Sequence, residues 1–116
     1  MKHNMKLKNG PFKAIESGVK TIEMRLYDEK RRLLNTGDEI EFLNLETGNV
    51  INTKVVGLHI YRNFEELYQH FNKEKLGYKK AEVAKPEDME QYYSREDILK
   101  YGVVGIEIEL IWEVRL

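Results

Sequence analysis

The chain has 116 residues, 41% hydrophobic and 34% charged, which is enough for one core and argues against disorder, so a single domain over residues 1–116 is expected. It contains no cysteine, excluding disulfides and thiolate metal sites, and it has no apolar run near the ~18 residues of a membrane span and no signal-like start in "MKHNMKLKNG", so a cytoplasmic protein without a membrane partner is expected. The net charge of −1 hides an asymmetry: residues 1–32 hold nine Lys and Arg against four Asp and Glu, a net +5, and residues 33–116 balance to −6, which marks the basic end as a candidate anion-binding face.

"NGPFKAIESG" predicts a short helix, with Asn9 or Gly10 at its start, Pro11 in the first turn where no amide donor is required, and Gly18 as the stop. Phe12 and Ile15, three apart, face the core. A strand begins at Lys20 and alternates: Ile22, Met24 and Leu26 on a core face, Thr21, Glu23 and Arg25 on the other. "YDEKRRLLNTGD" has no usable period, and Gly37 and Asp38 mark a turn into "EIEFLN", a strand with Ile40 and Phe42 inward. "LETGNV" supplies a hairpin loop before "VINTKVVGLHIY", whose β-branched residues predict a long strand bent at Gly57.

The period then changes. Phe64, Leu67, Tyr68 and Phe71 form one helical stripe, with Asn63 as cap. "NKEKLGYKKAEVAKPED" reads as a polar loop with some helix, and Ser94 answering Asp97 is a capping box that opens a last helix ending near Gly102. "VVGIEIELIWEVRL" closes the chain as a half-buried strand, Val104, Ile106, Ile108, Leu110 and Trp112 alternating with Glu107, Glu109 and Glu113. Strands with short helices between them, without regular βαβ alternation, indicate an α+β domain with a mixed sheet curled or closed into a small barrel.

Phosphate-cradling glycine loops, nucleophile elbows and paired cysteine motifs are absent, and His3, His59 and His70 lack metal-ligand spacing, so no metal or cofactor is expected. The feature that stands out is the polar face of the first strand. Glu23 and Arg25 at i and i+2 project together, with Lys20 beside them, in reach of a charge-assisted network. Spacing alone leaves three readings open: a solvated face, an ion-paired lattice, or a site.

"GVKTIEMR" followed by "GDEIEF" resembles the GxKxxExR signature and succeeding Gly-Asp of the ASCH domains, within the PUA-like superfamily; Gly18, Lys20, Glu23 and Arg25 fill every position. "PFKAIESG", "RLYDEKRRLLNTGD" and "KYGVVGIEIE" also resemble a compact archaeal and bacterial branch. The resemblance implies a small PUA-like β-barrel flanked by short helices, with a cleft that holds RNA, a nucleotide or a nucleoside. Lys20 and Arg25 would then meet phosphate or a base carbonyl, and Glu23 would accept from an exocyclic amine or hold Arg25 in place. Thr21 lies on the same face, Tyr27 either stacks on a base or packs, and Lys30, Arg31 and Arg32 are either a backbone-tracking rim or a solvated turn. A catalytic alternative is implied too. One branch hydrolyses N4-acetylcytidine with a Lys, a Thr and a Glu, and its Thr nucleophile position is Glu23 here; Thr21 would stand in only for a shifted substrate, with Glu65 or Glu66 as the helix acid. Other members are ribonucleases, for which Lys20 and Glu23 would be acid and base.

Overall fold

The computed structural model describes residues 1–112. Its elements run β1 (Lys2–Leu7), α1 (Asn9–Glu16), β2 (Ile22–Leu26), β3 (Glu39–Asn44), β4 (Val50–Tyr61), α2 (Phe64–His70), α3 (Arg95–Tyr101) and β5 (Val103–Leu110), with 3-10 turns at Arg31–Leu33, Lys73–Leu76 and Pro86–Gln91. The strands form one mixed sheet in the order β1-β3-β4-β5-β2. Among the described residues only the β1–β3 pair is parallel, and the other three pairs are antiparallel. The sheet curls into a half-barrel whose two edge strands, β1 and β2, face each other across an unpaired seam. Among the described residues no helix is long and apolar enough to cross a membrane.

Local signals account for most of these elements. Asn63 Oδ1 accepts from Glu66 N–H (2.9 Å) at the start of α2, and Ser94 Oγ accepts from Asp97 N–H (3.1 Å) at the start of α3, the two caps that the sequence announces. Gly18 and Gly102 both have positive φ, 83° and 71°, where the chain leaves α1 and α3. The register of β4 against β5 slips between Val55 and Gly57, which is the bend expected there.

One strand is added and two expectations are corrected. The stretch Lys2–Leu7, assigned no structure from sequence, is β1, and it is held by the β3 ladder rather than by its own pattern. Asp38 fastens its start, accepting from the Met1 ammonium (3.3 Å), His3 Nε2 (2.8 Å) and Asn35 N–H (3.0 Å). The strand placed from Lys20 begins at Ile22, because the Lys20 and Thr21 amides donate to Ala14 O and Lys75 O outside the sheet. The last strand stops at Leu110: its bonds to β4 end with Ile111 N–H on Asn52 O, and Trp112 stands 77% exposed instead of facing inward. Glu113 lies outside the described residues.

Two apolar clusters follow from the curl. The inner one gathers Met5, Phe12, Ile40, Phe42, Val104 and Ile106 inside the half-barrel. The outer one packs Ile22, Met24 and Leu26 of β2 beneath Phe64 and Leu67 of α2, Leu76 and Met89. Gly105 permits that second layer: a Cβ there would come within 3.1 Å of Ile22 Cγ2 and 3.4 Å of Leu67 Cδ1.

Candidate functional site: a charged seam in the half-barrel

In the β2–β5 register Glu23 lies opposite Ile106 and Arg25 opposite Val104, both members of the inner cluster, so the two charged side chains point into the half-barrel. Their neighbours Ile22, Met24 and Leu26 point outward and are buried all the same, under α2 and the segment that follows it. The strand is thus covered on both faces, whereas its alternation suggests one wet face.

Glu23 is the hub. Lys20 Nζ donates to its Oε1 at 2.8 Å and Arg25 Nε to its Oε2 at 2.7 Å. The side chains are 8%, 4% and 14% exposed for Lys20, Glu23 and Arg25. Arg25 also donates from Nη2 to the Lys6 carbonyl of β1 (3.0 Å), so one guanidinium bridges the seam between the two edge strands. Above Lys20 runs Gly77 at φ 102°, where a Cβ would stand 3.0 Å from Lys20 Cδ. Buried side-chain polar atoms without a partner, among the described residues, are Arg31 Nε and Asn52 Oδ1; Arg25, 14% exposed, makes no hydrogen bond through Nη1 among those residues.

The electrostatics follow from this packing. Burial drives the Glu23 carboxyl up, but the Lys20 and Arg25 cations and their hydrogen bonds outweigh it, and the acid is held below its ordinary range. Burial works against the Arg25 charge as well, yet Glu23 raises its pKa beyond the usual arginine value. The Tyr93 phenol, inside the same field, is pushed up by burial while Arg25 pulls it down. Two cations share one carboxylate in a place of low accessibility, so the three groups together carry one net positive charge, with Asp28, paired to Arg31, also acting on Arg25. A carboxylate with both oxygens engaged and a depressed pKa is a clamp for cations and a poor proton acceptor at neutral pH.

The remaining sequence candidates separate. Thr21 lines a cavity of about 400 Å³ with Ser17, Lys20, Glu109 and Trp112. Tyr27 packs on the inner cluster and has Arg32 over its ring, 4.3 Å to the centroid. Arg31 folds inward onto Asp28 (3.3 Å), Arg32 donates to Tyr101 O (3.3 Å), and Lys30 is exposed, so the three adjacent basic residues do not form one rim. Glu65 and Glu66 line a larger cavity, about 980 Å³, with Tyr27 and Arg32 but without Lys20 or Glu23. Glu66 there takes the Arg62 guanidinium (2.8 Å). Sequence reasoning passed over the Lys6 carbonyl, which no side-chain pattern could reveal, and Tyr92 and Tyr93, an aromatic pair in a polar stretch that offered a visible signal.

Comparison with known proteins gives the family and the fold. The model of the ASCH domain matches residues 5–111. The crystal structure of hypothetical protein PH0355 superposes with a TM-score of 0.81 at 39% identity, over 96% of this chain and 100% of that one. The solution NMR structure of protein PF0455 from Pyrococcus furiosus gives 0.73 at 34% identity, over 96% and 98%. No curated protein matches. With its signature residues gathered at the seam of a mixed, curled sheet, the chain belongs to the ASCH domain family.

Proposed function

We propose that this protein binds RNA, and that a phosphate or base carbonyl of the ligand is held at the seam by Arg25. The observation that carries the reading is the buried Lys20–Glu23–Arg25 cluster, two cations on one carboxylate, whose Arg25 leaves Nη1 without a hydrogen-bond partner among the described residues. A net positive charge in a poorly hydrated place is stabilised by an anion brought to it. Lys20 and Glu23 act in this reading by fixing the guanidinium: Glu23 takes Nε, Lys6 O takes Nη2, and Nη1 is left for the ligand. The general association of ASCH domains with RNA gives the same direction. Proton transfer by Lys20 and Glu23 has less support, because both Glu23 oxygens are engaged and its acid is held low.

The test is fluorescence anisotropy with a short labelled single-stranded RNA, wild type against Arg25→Ala, over a range of salt. Loss of one charge-assisted contact lowers affinity about tenfold or more and reduces the salt slope by about one. Equal affinity and equal slope for the two folded proteins would overturn the reading.

A further inference from the structure

A second feature, an exposed tyrosine with a lysine over its ring, lies outside the Lys20–Glu23–Arg25 cluster. Tyr92 follows the Pro86–Gln91 turn and is 50% exposed, although its backbone is fixed: its amide donates to Met89 O (3.1 Å), and Met89 is buried in the outer cluster. The next residue, Tyr93, stacks on buried Phe64 with centroids 6.1 Å apart and planes 14° apart, and its phenol lies in the field of Glu23 and Arg25. Tyr92 is therefore an exposed aromatic ring on an anchored backbone, next to the stacked Tyr93, whose ring centroid is 6.4 Å from its own. Lys8 stands over it, Nζ 5.7 Å from the ring centroid.

Lys8 joins the ring to the charged cluster along the chain itself. It follows β1 two residues after Lys6, the residue whose carbonyl takes Arg25. Lys6 and Lys8 are both exposed, and neither forms an ion pair among the described residues. Glu46, in the β3–β4 loop, accepts from the Asn9 amide at the start of α1 (2.7 Å), and Asp28 pairs with Arg31. An aromatic face with basic groups on one side is the arrangement in which a base stacks while the backbone charge is neutralised.

We propose that Tyr92 is a stacking platform for an unpaired base, with Lys6 and Lys8 on the adjoining phosphates, so that the ligand is single-stranded RNA and not a duplex. The inference rests on the reading of Arg25 as a phosphate or carbonyl contact. A duplex keeps its bases in the stack and offers none to the ring.

Anisotropy with a labelled oligouridine and with an RNA duplex of equal length separates the two claims, using the full chain as wild type, Tyr92→Ala, Tyr92→Phe and Arg25→Ala, each checked for folding by circular dichroism. The expected result is a loss of about tenfold for Tyr92→Ala on the single strand, near-wild-type affinity for Tyr92→Phe, and no change for Tyr92→Ala on the duplex. If Tyr92→Ala binds oligouridine as wild type does while Arg25→Ala is weakened, stacking is wrong and the seam contact stands. If Tyr92→Ala weakens duplex and single strand alike, the preference for unpaired bases is wrong. If no variant differs from wild type, or wild type binds neither RNA, both claims fail.

Discussion

Replacing Glu23 by Gln tests the structural account at its most loaded point. The amide keeps the size of the side chain but removes the charge that Lys20 and Arg25 share, leaving two cations, 8% and 14% exposed, against each other. Breaking a buried ion pair from one side costs ~3–5 kcal/mol, because the partner is left charged and poorly solvated. Here one carboxylate serves two partners, so a loss of about 4 kcal/mol is expected, a fall in Tm of roughly 15 °C for a chain of this size. Thermal and urea unfolding followed by circular dichroism measure it. A second substitution, Lys20→Met in the Gln background, removes one orphaned charge and restores part of the loss. The pH profile gives an independent check. The folded-state pKa of Glu23 lies below its unfolded value, so its stabilisation is present above the ordinary carboxylate range and disappears as pH falls through the lowered folded value; wild type loses that increment in acid and Glu23→Gln has none to lose. A Gln variant within about 1 kcal/mol of wild type near neutral pH would refute the claim that burial makes this cluster costly to break.

Other consequences follow from the seam and the strand that borders it. Gly77→Ala places a Cβ 3.0 Å from Lys20 Cδ at a φ of 102°, so it is expected to destabilise the fold by about 1–2 kcal/mol; an unchanged urea midpoint would show that the segment above Lys20 yields freely. Asp38→Asn weakens the fastening of β1, and hydrogen exchange at the Met5 and Leu7 amides is expected to quicken relative to those of β4. The His3 and Asn35 hydrogen bonds hold the Asp38 acid down to about 2, so this fastening is complete above the ordinary aspartate range and is lost as pH falls toward that value; the variant's exchange rates lack this acid dependence once corrected for intrinsic chemistry.

The sequence by itself determined what depends on neighbours along the chain. Asn63 and Ser94 cap their helices, the glycines at 18 and 102 end theirs, Ile40 and Phe42 turn inward, and the spacing from Gly18 to Arg25 identifies the family signature. Each is a local event, set by side-chain period, capping chemistry or a backbone angle that glycine alone adopts cheaply. Tertiary structure decided the rest. Lys2–Leu7 carries only Met5 and Leu7 as an apolar signal, and it became a strand because β3 offered a parallel partner more than thirty residues away. Whether Glu23 and Arg25 would lie on a wet face depended on the curl of the sheet, which brought the edge of β1 opposite β2 and let the guanidinium span the gap to Lys6 O. Lys8 and Tyr92, and Arg25 and Tyr93, meet across still longer stretches of sequence. Side-chain alternation tells which residues share a face; what covers that face is settled by contacts between distant segments, and no local pattern encodes them.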